Sequence, residues 1–151
     1  MAERDLIDLY SKRILALAAD IPHVGRLDAP MGTARVRAPL CGSVVTVDLD
    51  MKDNYISRFA QDVKACALGQ AAAAVVGAHV LGRSRDEIVT ARGELLALLK
   101  SDGPDPSPPF AELAVLRAAR DFTNRHASIL LALDATLAAI DAIPADLRGT
   151  A

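Results

Sequence analysis

The chain has 151 residues, 52% of them hydrophobic and 24% charged, with a formal net charge of −2; that length fits one domain with room for a real core. Seventeen basic residues stand against nineteen acidic ones and form no basic block, so nucleic-acid binding has no electrostatic support. Aromatics make up 3% and Trp is absent, which removes base-stacking platforms and leaves Ala, Leu, Val and Ile to build the core.

In chain order, residues 5–19 read as a helix, with Leu6, Leu9, Tyr10, Ile14 and Leu17 at roughly helical spacing. Pro22 and Gly25 break that pattern, and residues 20–31 read as a loop. Thr33-Ala34-Arg35-Val36-Arg37-Ala38 alternates in the manner of a strand, and Val44-Val45-Thr46-Val47-Asp48-Leu49 is rich in β-branched residues. Lys52-Asp53-Asn54 signals a turn, and residues 55–63 supply a third strand. Three consecutive strands with short connections imply an antiparallel meander with one face to be covered.

From residue 65 the pattern is helical. A first helix spans 65–81 and is closed by Gly82. Ser84-Arg85-Asp86-Glu87 has the capping-box form and opens a second helix running to about residue 100. Gly103-Pro104-Asp105-Pro106-Ser107-Pro108-Pro109 is a helix-free loop. Helices over 110–122 and from 125 to about 142 follow, and residues 143–151 read as a frayed tail. The fold class is therefore α/β of the α+β type: a single domain, 1–151, in which a three-stranded antiparallel sheet packs against helices.

Met1-Ala2-Glu3-Arg4-Asp5 lacks the features of a secretory signal, and the uncharged stretch 66–82 is too short and too alanine-rich for a membrane span. The expectation is a cytoplasmic chain with no membrane partner. In a reducing compartment thiols serve as ligands or nucleophiles more often than as disulfides.

Cys41 and Cys66 are the only cysteines. Cys41 follows the first strand, and Gly42 lets the chain turn beside it. Cys66 lies at an expected helix N-terminus, where free amides and the helix dipole favour a thiolate. The spacing is not a compact C-x-x-C, so the sequence alone announces no zinc site. On the residues alone, two buried structural cysteines is the preferred reading. His79 and His23 read as ordinary packed or surface histidines, Arg125 as a solvated helix start or an anion contact, and Asp134 as a solvent-facing acid. No nucleotide-binding, hydrolase-elbow or zinc-protease motif occurs.

Several segments together alter that reading. Leu9-Tyr10-Ser11-Lys12-Arg13-Ile14-Leu15, Leu40-Cys41-Gly42-Ser43, Ala65-Cys66-Ala67-Leu68-Gly69-Gln70-Ala71, the step Leu81-Gly82-Arg83-Ser84, and Arg125-His126-Ala127-Ser128-Ile129-Leu130 run in an order that resembles the IscU/SufU/NifU-type iron–sulfur cluster assembly scaffolds. The resemblance covers residues 9 to about 140 and implies a SufE/NifU-like fold. Such scaffolds gather three cysteines and an aspartate, with a histidine beside the third cysteine in the IscU branch. Here Ser43 stands in the aspartate position, Ser128 in that of the third cysteine, and Ala127 in that of the histidine.

The resemblance implies a scaffold-like protein or sulfur acceptor rather than a turnover enzyme. Cys41 and Cys66 become the expected ligands of iron, an iron–sulfur cluster or zinc, with His126 as the candidate third metal ligand. Cys66 becomes the candidate persulfide acceptor, acting as the nucleophile. The implied partners are a cysteine desulfurase and the cluster-assembly proteins, with a homo-oligomer as one way of sharing a cluster between copies. A binding module that keeps the fold without the chemistry is the alternative.

Overall fold

The computed structural model describes residues 10–149. Helix α1, Lys12–Ala18, starts at Ser11, whose hydroxyl accepts from the Ile14 amide at 3.3 Å; the part of the expected helix before residue 10 lies outside the described residues. Strands β1 (Gly32–Arg37), β2 (Val44–Lys52) and β3 (Tyr55–Lys64) form one antiparallel sheet in the order β1-β2-β3. Asp53 and Asn54, with φ of 54° and 69°, turn β2 into β3; positive φ at both central residues suits the twist of a tight hairpin. The meander read from the sequence is therefore present, with longer second and third strands.

The two faces of the sheet are covered differently. Val45, Val47, Leu49 and Met51 alternate along β2 and are all buried, forming the floor for the helices. On the opposite face Asp48 is also fully buried, because the loop 20–31 folds over it. Asp48 accepts from Arg26 Nε at 2.7 Å and Nη2 at 3.1 Å, from the Leu27 amide at 3.0 Å and from Thr33 Oγ1 at 2.8 Å. Its neighbour Asp50 accepts from the Met31 amide at 2.8 Å. Burial pushes the Asp48 carboxyl up, but the bonds from Arg26, Thr33 and Leu27 and the Arg26 charge outweigh it and hold the group below the usual carboxylate range.

Helix α2, Ala67–His79, has Leu68, Gly69 and residues 71–77 buried. A helix apolar all round belongs at the centre of a core, and alanine keeps its helix propensity high while letting neighbours approach. Helix α3, Arg85–Ser101, opens with the capping box read from the sequence: the Ser84 hydroxyl accepts from the Glu87 amide at 3.2 Å and the Glu87 carboxylate accepts from the Ser84 amide at 3.2 Å. Helix α4, His126–Asp141, packs against α2, α3 and the sheet.

Two expectations change. The segment Ala111–Ala119 is a 3₁₀-helix, not an α-helix. Phe110, Leu113, Leu116 and Ala119 are buried; that spacing of three matches the three residues per turn of the tighter helix. Ion pairs tie it down: Arg117 and Arg120 pair with Asp102 at the end of α3, and Arg117 also pairs with Asp105 in the Pro-rich loop. The tail is not frayed as far as Gly149: Ile143 is buried, Arg148 Nε donates to the Ile143 carbonyl at 3.0 Å, and the Arg148 carbonyl accepts from the Asn54 amide at 2.9 Å.

Candidate dithiol site

The site lies where the β1–β2 loop, the start of α2 and the first turns of α4 meet. Between Arg37 and Val44 the chain reverses through bonds from the Ala38 amide to the Ser43 carbonyl at 2.8 Å and from the Gly42 amide to the Ala38 carbonyl at 3.1 Å. Gly42 has φ of +72°, a conformation that costs glycine little. This turn leaves Cys41 exposed and buries Ser43. The Cys41 thiol donates to Ser43 Oγ at 3.2 Å.

Cys66 is the N-cap of α2, in extended conformation with φ −67° and ψ 170°. Its half-buried side chain faces the amides of Leu68 and Gly69 without closing a cap hydrogen bond. Cys66 Sγ lies 3.6 Å from the buried Ser128 Oγ, and Ser128 Oγ lies 3.0 Å from Ser43 Oγ. The two thiols are therefore the ends of a continuous chain of contacts, Cys41–Ser43–Ser128–Cys66. Gly69 makes this possible: a Cβ there would stand 2.5 Å from Ser128 Oγ and 3.1 Å from the Ser128 carbonyl oxygen.

Both thiols are drawn toward the thiolate. Burial pushes Cys66 up, but the Gly69 amide, the Ser128 hydroxyl, the Leu68 amide and the positive charge of Arg125 together bring it below its ordinary value. Burial also opposes ionisation of Cys41; the Ser43 hydroxyl and amide and the Ser128 hydroxyl outweigh it, again lowering the value. Ser128 thus serves both sulfurs, and Arg125, at the N-cap of α4, acts as a nearby cation.

The expected third ligand is not part of this arrangement. His126 is buried, and its Nε2 lies 3.0 Å from the Ala119 carbonyl oxygen. His126 and Ser128 are two positions apart on α4, about 200° around a helix of 3.6 residues per turn, so they face nearly opposite ways. No group of three or more His, Cys, Asp or Glu side chains is placed to hold a metal ion among the described residues. The remaining candidates have structural partners: His79 meets Phe110 edge-on, His23 meets Phe59 edge-on, and Asp134 pairs with Arg92 instead of facing solvent unpaired.

No protein-family model matches the chain, and no curated protein does. Among solved structures, the NifU-like protein (N-terminal) of Brucella abortus is 42% identical, with a TM-score of 0.89 over 92% of this chain and 96% of that one. The chain belongs to the IscU/SufU/NifU-type family. A second structure, described as an iron–sulfur cluster assembly scaffold protein for the SUF system of Fervidobacterium islandicum AW-1, is 15% identical with a TM-score of 0.77 over 89% of this chain. A third, of a hypothetical protein, is 21% identical with a TM-score of 0.76. At those identities the two share the fold alone. Among the described residues, no helix of this NifU-like chain is long and apolar enough to cross a membrane.

Sequence reading treated Ser43 and Ser128 only as departures from a ligand set. The resemblance implies that Cys41, Cys66 and the segment 125–128 approach one another; what it does not give is the direct hydroxyl contact of Ser43 with Ser128, across 85 positions of sequence. The one available signal was their common position in the family's pattern.

Proposed function

We propose that the chain works in iron–sulfur cluster assembly as a scaffold-like sulfur acceptor, taking sulfur from a cysteine desulfurase on Cys66 with Cys41 beside it. The observation that carries this reading is the Cys41–Ser43–Ser128–Cys66 chain, with contacts of 3.2, 3.0 and 3.6 Å. It presents two activated thiols to one region. A thiolate attacks the terminal sulfur of a donor persulfide, and the donor leaves as its own thiolate.

The same pair fits a complete metal shell poorly. Two thiolates supply half of a tetrahedral set, and serine hydroxyls are poor partners for iron or zinc beside thiolates. Iron, a cluster or zinc is cargo that this site holds only when a partner or a second copy adds ligands. The reading is tested with a cysteine desulfurase under anaerobic conditions. Addition of the chain is expected to raise alanine production from cysteine, and Cys66→Ser is expected to lose that stimulation. Equal turnover with and without the chain contradicts the reading.

A further inference from the structure

The two thiols differ in a way that a one-thiol acceptor does not require. Cys66 is half-buried at the head of α2, whereas Cys41 is exposed on the β1–β2 loop. Pro39, Leu40 and Gly42 are exposed as well, and the loop's backbone closure consists of the two bonds at 2.8 and 3.1 Å around Ala38. Such a loop gives up little packing when it shifts. Ser43 and Ser128, the side chains bridging the two sulfurs, are hydroxyls that do not compete for sulfane sulfur. The described residues place no third thiol, imidazole or carboxylate with the pair to hold a sulfur–metal intermediate.

We propose that Cys41 is the resolving thiol of the pair: it displaces sulfur carried by Cys66 and releases it as hydrosulfide, leaving a Cys41–Cys66 disulfide. This rests on the acceptor reading above. In the first step the Cys66 thiolate attacks the terminal sulfur of a donor persulfide; a Cys66 sulfur–sulfur bond forms, the donor's bond breaks, and the donor leaves as thiolate. In the second step the Cys41 thiolate attacks Cys66 Sγ. The Cys41–Cys66 bond forms, the bond to the terminal sulfur breaks, and that sulfur departs with the electron pair and its proton as HS⁻. The sulfane sulfur is reduced to sulfide and the two thiols are oxidised to the disulfide. A dithiol reductant returns the pair to its starting state.

Closure needs Cys41 to come into bonding range, since a disulfide joins Cα atoms about 4.4–6.8 Å apart. The exposed Cys41 turn is the element that moves, and not the first turn of α2, which is held by the buried Leu68 and Gly69. Ser43 is the hinge end of that turn, anchored by its contact with Ser128 at 3.0 Å.

The test uses the reduced full chain, free of oxygen, and glutathione persulfide as the probe. Wild type is expected to release about one hydrosulfide per chain and to lose about 2 Da, with the Cys41 and Cys66 peptides joined before reduction. Cys41→Ser is expected to gain about 32 Da at Cys66 and release no hydrosulfide. Wild type carrying a persulfide as long-lived as that of Cys41→Ser overturns the resolving role and leaves sulfur acceptance standing. Absence of any mass gain in Cys41→Ser overturns sulfur acceptance and the resolving role together. Because Cys41 is exposed, its substitution leaves the core intact, and a melting curve matching wild type confirms it.

Discussion

Replacing Gly69 by Ala probes the contact that holds the site together. In a helix interior this change ordinarily stabilises by about 1 kcal/mol, and by less at Gly69, the third residue of α2. Here the new Cβ would meet Ser128 Oγ at 2.5 Å, the Ala65 Cβ at 2.9 Å and the Ser128 carbonyl oxygen at 3.1 Å. The hydroxyl is able to rotate, but the carbonyl is fixed in α4, so α2 and α4 must separate slightly. Overpacking of this kind costs about 1–3 kcal/mol, which exceeds the propensity gain. The net expectation is a loss of about 1 kcal/mol, or about 3 °C in melting temperature. Rotation of the hydroxyl also moves it away from Cys66, so alkylation of Cys66 should slow at fixed pH. In Gly69→Ala/Ser128→Ala the nearest overlap is gone, and the double-mutant cycle should show a favourable coupling of about 0.5–1 kcal/mol. Thermal melts and the cycle test this together. A melting temperature raised by Gly69→Ala would refute the close approach of α2 and α4 at the site, and strictly additive effects would mean that the Ser128 hydroxyl has no part in the overlap.

Ser128→Ala removes a hydroxyl that lowers both thiols; the pH profile of iodoacetamide alkylation should move to higher pH for Cys66 and for Cys41, and unmoved profiles would count against the shared hydroxyl. Asp48→Ala strips the buried partner from the Leu27 amide and Thr33 hydroxyl, while Arg26 is exposed enough to return to water; urea unfolding should show a loss of about 2–3 kcal/mol. Because the folded Asp48 value is depressed, its contribution is full above the unfolded carboxylate value of about 4 and falls as pH drops below that, through the folded value. The wild type should therefore lose stability in that acid window more steeply than Asp48→Ala, and parallel pH curves would contradict the clamp. Ser43→Asp with Ser128→Cys adds a carboxylate and a thiol between Cys41 and Cys66, and a zinc competition titration should show tighter binding than the parent; no gain would mean that the two positions do not point into one shell.

The sheet was legible because its strands carry β-branched runs separated by turn residues, and α3 because Ser84 and Glu87 form a local cap. Local signals of this kind need no tertiary information. The 3₁₀ segment was not legible as such, since residues 110–119 are apolar at every position but Glu112 and Arg117, and so dense an apolar run fits a period of 3 as readily as one of 3.6 residues per turn. Asp48 gave no sign of its burial: an acid alternating with Val47 and Leu49 reads as solvent-facing, and only the loop 20–31 folding back reveals the Arg26 partner. At the site, the placement of Cys41 and Cys66 followed from the resemblance and the helix-start chemistry. His126 lies away from the two thiols, bonded to the Ala119 carbonyl, because residues one or two positions apart on a helix do not share a face. The Ser43–Ser128 contact is a product of the fold, joining a loop and a helix far apart in sequence.

The central claim is that sulfur from a desulfurase arrives at this thiol pair. Its most direct test incubates the Cys41→Ser chain with a cysteine desulfurase and cysteine without oxygen, then maps persulfide by peptide mass spectrometry. Persulfide on the peptide carrying Cys66, absent from Cys41→Ser/Cys66→Ser, is the predicted result. A desulfurase that keeps its persulfide in the presence of wild-type, Cys41→Ser and Cys66→Ser chains alike would contradict the account.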